Sequence, residues 1–493
     1  MSFSRRTGLL LVLAFTLSLP AVTPRIYAAD EIEYFSFLRS LWFDHDLSFD
    51  NEYRHFADAA GPRLPGFRET FLNDTTATGR RKTFATIGCA LMWAPFYGVA
   101  DAGVRVARLA GADVAADGYS QPYVAAVAYG SALYGFLALL LSAYASALLL
   151  GHVPRVDQVG RVARAGDNAG WIAVVAAWVG TPLLFYMYVA PPFAHATSAF
   201  SVAAFIVVWL RVRRSWSPAG MAALGALAAL MTMVREQDVF FVGGVALDFA
   251  WTLVERARGQ GGARRVAVLL GRAGLAGAVA AAAYVPQAIA YIVVNGGLRP
   301  SPLVTRKMTW SAPHAWQVLT SPEHGFFMWT PLAVLGIAGV ILMATGKTNG
   351  PAAATGLKAG GPTTTNVRVA ICLLVMVALQ VYVVGAIESW KVAGAFGQRR
   401  FVGLTLILIV GLTALLRSVR TAGPRTLVLS AVILATWWNV ALVVQFGAGL
   451  MDRQRLTLAT NAYNAFVVVP REIPRMIYRY AFDRKSFYAA PPR

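Results

Sequence analysis

Residues 123–150 form an unbroken run of 28 positions without a charged side chain, and residues 425–444 repeat the pattern after an opening arginine. A helix that crosses the hydrocarbon core of a bilayer needs about 18 to 20 such residues, at about 1.5 Å of rise each. Lipid offers no partner to backbone N–H and C=O groups, so only helices and closed barrels cross it. The pattern here is long continuous runs and not ten-residue alternation, which selects helices. The expected fold class is therefore an all-α polytopic membrane protein. Composition agrees: of 493 residues, 57% are hydrophobic and 14% charged, against roughly 25% charged in ordinary globular chains.

Eleven stretches qualify as transmembrane helices: residues 7–23, 123–150, 170–190, 195–210, 217–234, 237–254, 266–295, 327–344, 369–387, 401–416 and 425–445. A further apolar stretch, 84–109, decides the topology. If it does not span and the N-terminus is cytoplasmic, the loops holding Arg155, Arg161 and Arg164, then Arg211, Arg213 and Arg214, then Arg256, Arg258, Arg264 and Arg265, then Lys347 and Lys358, then Arg417 and Arg420 all fall inside. If it spans, the same loops all fall outside, against the positive-inside rule. The chain then divides into a first transmembrane helix (1–24), a large extracytoplasmic loop with juxtamembrane helices (25–122), a transmembrane bundle (123–447) and an extracytoplasmic tail (448–493). Within the loop, residues 87–99 are expected to be re-entrant or to lie in the interface, because Pro95 breaks the backbone ladder and Trp93 and Tyr97 favour that depth. Glycine-rich 345–365 reads as a flexible cytoplasmic linker.

Arg5, Arg6, the apolar core 8–19 and the Ala28-Ala29 pair have the layout of a cleavable signal peptide. Pro24 and Arg25 beside any cut favour an uncleaved first helix. The net charge of +20 would suggest nucleic acid as the partner of a soluble protein. Here the basic residues sit in short loops between apolar runs, so they read as orientation signals and contacts to membrane lipids. Cys89 and Cys372 lie in unrelated segments, so no disulfide and no thiolate metal site are expected.

Asp30 and Glu31 follow the first helix within a turn or two. Ile32, Phe35, Leu38, Leu41 and Trp42 then fall on one face of an amphipathic helix expected to lie along the membrane surface, which would hold a carboxylate at headgroup depth. Two readings fit that carboxylate: a general base for an acceptor whose partner is a lipid phosphate, and an N-cap with Glu33 completing it. Asp44, Asp46, Asp50 and Glu52, with His45 and His55, fit either a divalent-cation site or a solvated acidic loop. Arg80, Arg81, Lys82, Arg235, Arg306, Lys307, Lys391, Arg399 and Arg400 collect on the outer face, where either a bound phosphate or lipid headgroups would hold them. His195 opens a helix on that face, and Glu323 and His324 precede another. The hinge Arg235-Glu236-Gln237-Asp238 fits structural ion pairing equally well.

The order of these parts resembles the C-type (GT-C) glycosyltransferases, the polyprenol-phosphate-sugar-dependent membrane enzymes that include protein O-mannosyltransferases and the lipid A aminoarabinose transferase. Asp30, Glu31 and Tyr34 match their Asp-Glu-x-x-Tyr pattern, and Ser40-Leu41-Trp42 followed by residues 44–47 is similar to its sequel in bacterial members. Residues 88–97, 195–200, 323–331 and 395–399 also look like family segments, so the resemblance runs to about Phe401. It implies a sugar donor on polyprenyl phosphate, a lipid, polysaccharide or protein acceptor, and a bacterial cytoplasmic membrane with the site outside. It further implies Asp30 as the base, with Glu31 beside it and inversion at the sugar. Arg81, Lys82, Arg306, Lys307, Arg399 and Arg400 would bind the donor phosphate, and Tyr34, His195, Glu323 and His324 the substrates. Some members carry a Lys-Pro pair in the outer loop; here Arg81-Lys82 lacks the proline. Competing readings are a secondary transporter, against which stand the absence of a sequence repeat and the gathering of charge at one surface, and a lipid-binding scaffold or ligase of envelope polysaccharide assembly.

Overall fold

A computed structural model describes residues 5–60, 66–151, 155–156, 162–163, 168–258, 261–346, 362–392, 394–419 and 421–484. The chain is an all-α polytopic membrane protein. Helix α1 (Arg5–Ser18) ends in a 3₁₀ turn, Leu19–Ala21. The following loop contains α2 (Ala29–Arg39), α3 (Asp50–Ala60) and α4 (Gly88–Leu109). The bundle begins with α5 (Gln121–Leu150), α6 (Ala169–Val179), α7 (Leu183–Tyr188), α8 (His195–Val212) and α9 (Pro218–Val234). It continues with α10 (Val242–Ala257), α11 (Gly262–Ala283) and α12 (Val285–Asn295), followed by single-turn α13 (Pro302–Thr305), α14 (Gln317–Thr320) and α15 (Phe326–Trp329). Helices α16 (Leu332–Ala344), α17 (Pro362–Gly385), α18 (Thr405–Ser418) and α19 (Ala422–Ala448) complete it, and α20 (Leu458–Tyr463) and α21 (Val469–Phe482) form the tail.

Every predicted span coincides with helix. Among the described residues, seven helices are long and apolar enough to cross a membrane by length and composition, and five shorter apolar helices accompany them. Several predicted single spans are interrupted. Residues 170–190 break between α6 and α7 at Gly180-Thr181-Pro182, 266–295 break at Tyr284 ahead of Pro286, and 327–344 break at Thr330-Pro331. Each break precedes or contains a proline, whose missing N–H and ring disfavour an uninterrupted ladder. Of the residues used for topology, Arg161, Arg164, Lys347, Lys358 and Arg420 lie outside the described residues, as does most of the 345–365 linker.

Two large hydrophobic clusters fill most of the described interior, and a third, small one joins Ala441 of α19 to Ala465 and Val469 of the tail. The larger of the two main clusters fills the bundle; the other joins α2, α3 and α4 to Tyr123, Met233 and Val294. In this loop region the expected surface placement of α2 and the expected break at Pro95 both change. Helix α2 is not spread on a surface, because Phe37 and Ser36 are buried along with the Phe35 face and protein encloses it on nearly every side. Helix α4 also runs straight through Pro95 for 22 residues, while the Tyr134 hydroxyl donates to the Met92 carbonyl at 2.9 Å beside the proline turn. A Cβ on Gly88 would sit 2.3 Å from the Met233 carbonyl carbon. Glycine there lets α4 dock against the end of α9, just before Arg235.

Candidate active site

Asp30 is the second residue of α2, and its Oδ2 lies 2.9 Å from Nη1 of Arg399. The carboxylate is 43% exposed and the arginine side chain 14%. The acid can therefore be reached while its partner is enclosed. Arg399 and Arg400 open the 3₁₀ turn Arg399–Leu404 that leads into α18. The Arg399 guanidinium stands 5.2 Å above the Phe193 ring, and Arg400 Nη1 donates to the Ser389 carbonyl at 3.0 Å.

Arg235 comes from the end of α9. Its Nη1 donates to Nδ1 of His195 at 3.1 Å, and its Nη2 to Oε1 of Gln237 at 3.2 Å. Gln237 Nε2 in turn donates to the Arg400 carbonyl at 2.8 Å and to Gln380 Oε1 at 3.1 Å. An arginine can only donate, so the imidazole is neutral and carries its proton on Nε2. That Nε2 is buried without a partner among the described residues. Tyr186 packs edge-on to the ring at 4.3 Å and bonds the Phe396 carbonyl at 3.1 Å. Arg399 thus pairs with Asp30, while Arg235 and Arg400, joined through Gln237, gather with Arg399 about the neutral His195 imidazole, and buried Asp238 is held by the Ser198 hydroxyl at 2.6 Å. Such a set of fixed donors suits an anion with several oxygens, a phosphate above all.

Neighbouring carboxylates have different environments. Glu31 is fully buried and its Oε2 accepts the backbone N–H groups of Tyr27 and Ala28 at 2.8 and 3.0 Å, closing the start of α2. Burial pushes its carboxyl up to about 8, against the pull of those N–H groups. Burial raises Glu33 as well; its Oε1 accepts the Phe84 N–H at 2.6 Å. Tyr34 packs edge-on against Trp93 at 6.5 Å, and burial keeps its phenol protonated well past the usual range.

The structure brings Asp30, Tyr34, His195, Arg399 and Arg400 together and places the other predicted residues differently. Arg81 Nε pairs with Asp50 at 2.7 Å, and Lys82 pairs with Asp74. Lys307 lies 4.8 Å over the Phe84 ring near Glu33, and Arg306 is exposed. Glu323 pairs with Lys391 at 2.7 Å. His324 donates from Nε2 to the Ala395 carbonyl at 2.8 Å and stacks on Trp329, and burial lowers it to about 4. Its own carbonyl accepts from Gln398, so it braces the loop that presents Arg399. In the acidic run, Asp44 and Glu52 pair with Arg39, Asp50 with Arg54 and Arg81, and Asp46 accepts from Ser40. Among the described residues no group of three or more His, Cys, Asp or Glu side chains is placed to hold a metal ion. No motif in the sequence marks Gln237, Gln380 or Phe193 as site residues. A glutamine inside the apolar run 369–387 was the available signal, since a polar side chain at membrane depth is costly unless partnered.

No family model matches the sequence, and no curated protein matches it. Among solved structures, the crystal structure of ArnT from Cupriavidus metallidurans in the apo state is similar, with 14% sequence identity and a TM-score of 0.44 over 98% of this chain and 78% of that one. A likeness of that size carries no functional argument, which rests on the site itself.

Proposed function

We propose that this chain is a membrane glycosyltransferase that moves a sugar from a polyprenyl-phosphate-linked donor to an acceptor hydroxyl at the outer face of the membrane. The observation that carries this reading is the 2.9 Å pairing of accessible Asp30 with enclosed Arg399, in one cluster with Arg400, Arg235 and His195. Asp30 takes the proton of the acceptor hydroxyl. That oxygen attacks the anomeric carbon from the side opposite the phosphate, the carbon–oxygen bond to phosphate breaks, and its electron pair leaves with the phosphate, inverting the centre. Arg399, Arg400 and Arg235 stabilise the charge that develops there, and His195 Nε2–H adds a neutral donor. Glu31 acts as a positioning residue that fixes the start of α2, and Glu323 and His324 support the Arg399 loop.

The test is complementation with Asp30→Asn and Glu31→Gln at matched membrane abundance, scoring glycosylated product and lipid-linked donor. Loss of a general base typically costs about 10²-fold to 10⁴-fold in rate, so Asp30→Asn should abolish measurable product while donor accumulates. Transfer at the parental level in that variant would reduce Asp30 to a helix cap and return the transporter and scaffold readings.

A further inference from the structure

Helix α21 runs from the end of α19 to the end of α1. At its start, Val469 clusters with Ala441, within about two turns of the end of α19, and the Trp437 indole donates to the Ala465 carbonyl at 3.2 Å. Farther along, a Cβ on Gly447 would lie 4.0 Å from Cε of Met476. At its finish, the Tyr480 hydroxyl meets that of Thr23 at 3.0 Å and donates to the Ala21 carbonyl, and Arg484 donates to the carbonyls of Val22 and Pro20 at 2.9 and 2.6 Å. Both of these helix ends lie at the site end of the bundle. Residues 24–29 lead from α1 to Asp30, and beyond α19 the Leu456 N–H donates to the Pro322 carbonyl at 3.0 Å, two residues before His324. A rod of 14 residues, about 21 Å long, that is held at both ends to this level lies along the membrane surface and not through it.

The side chains of α21 sort around its axis at the helical period. Val469, Ile473, Met476 and Tyr480 face the protein. Ile477, Tyr478 and Phe482 are 64%, 63% and 78% exposed, with Tyr478 and Phe482 packed on each other at 5.2 Å. Exposed Arg471 and Arg475 interleave with that aromatic pair. Arg475 meets Glu472 only at 3.9 Å and stays 73% exposed, and a surface pair of that kind contributes little. Large apolar side chains left open at headgroup depth face lipid, where tyrosine settles and arginine reaches phosphate.

We propose that α21 is an interfacial helix that binds anionic phospholipid, with Tyr478 and Phe482 set among the upper acyl carbons and Arg471 and Arg475 on the headgroup phosphates. An anionic headgroup is favoured over a zwitterionic one because it brings no ammonium of its own to oppose the arginines. This contact is independent of sugar transfer.

The test uses the full-length protein carrying Ala481→Cys, labelled with an environment-sensitive dye, in phosphatidylcholine nanodiscs. Ala481 is exposed beside Ile477 and Tyr478, whereas Cys89 and Cys372 are buried and should stay unlabelled. The nanodiscs are assembled with rising fractions of phosphatidylcholine or phosphatidylglycerol whose acyl chains are brominated to quench the dye. Phosphatidylglycerol is expected to reach half-maximal quenching at about one fifth of the fraction that phosphatidylcholine needs, a preference of about 1 kcal/mol, the worth of one arginine at an anionic surface. Arg471→Gln with Arg475→Gln should bring the two lipids level. Arg471→Lys with Arg475→Lys, which keeps the charge, should preserve the difference. Absence of quenching by either lipid overturns the proposal, since α21 would then stand clear of the bilayer, and equal quenching by both removes the anionic preference. A preference that survives in the glutamine pair overturns the assignment to these arginines.

Discussion

Asp30 and Glu31 are adjacent carboxylates with opposite surroundings. One is accessible and paired with a guanidinium; the other is enclosed and spent on two backbone N–H groups. The sequence could mark the pair but not divide the roles, because the division depends on which side of α2 the rest of the loop covers. Burial holds the Glu31 carboxyl at about 8, above its ordinary 4.5. A value raised on folding means that the folded state binds the proton more tightly, so this contribution to stability is full below about 4.5 and is lost as the pH rises through about 8. Melting temperature in detergent should therefore fall over that window, and Glu31→Gln, neutral and of the same shape, should remove part of the fall. Glu33 and Glu52, both raised by burial, would sustain the remainder. Below about pH 4.5, where that contribution is full, Glu31→Ala should lower stability by about 1 kcal/mol, the usual worth of a helix cap, and the difference should shrink as the pH rises through about 8. Charge in loops was the least legible feature at this scale. Arg81 and Lys82 looked like phosphate ligands in sequence, and the fold pairs them with Asp50 and Asp74, residues that no local pattern links to them.

At the scale of elements, long apolar runs fixed where helices lie, and proline marked where they break. What periodicity does not carry is which helices touch. Helices α16 and α18 cross so closely that a Cβ on Gly339 would fall 1.8 Å from the Gly411 carbonyl oxygen, and one on Gly411 1.9 Å from that of Gly336. Without a hydrophobic drive between helices in lipid, such close contact is a main source of their association. Gly339→Ala should force the pair apart and destabilise the protein by about 1 to 3 kcal/mol, as overpacking does. Since α18 follows directly from Arg399 and Arg400, transfer should fall as well. A thermal melt together with product formation checks both outcomes; an unchanged melt would mean that the crossing is looser than described.

Across the whole molecule, the site gathers at one end of the bundle. His195 opens α8 and Arg399 precedes α18 at that end, while Arg211, Arg213 and Arg417 sit at the far ends of the same two helices. Asp248 pairs there with Arg213 and Arg368 and ties α8, α10 and α17 together. By the positive-inside rule, we propose that the site faces outside. Single cysteines at exposed Thr70 and Ala257 test this, because Cys89 and Cys372 are both buried and should stay silent. A membrane-impermeant maleimide applied to spheroplasts should modify Thr70→Cys and spare Ala257→Cys; the reverse pattern would invert the topology. The helical architecture and the acidic pair were open to reading from the sequence, because span length and a short motif are local. The arginine–histidine cluster was readable only as scattered charges, since its members are joined by packing of distant helices.

The Asp30–Arg399 pair also orders the protein's manufacture. Asp30 emerges from the ribosome with the first helix, whereas Arg399 follows only after most of the bundle has been threaded into lipid. Until then the carboxylate is without its counter-ion, and a chain stalled or misthreaded at any earlier helix never completes the pair. On the transferase reading proposed above, competence would therefore be acquired only near the end of synthesis.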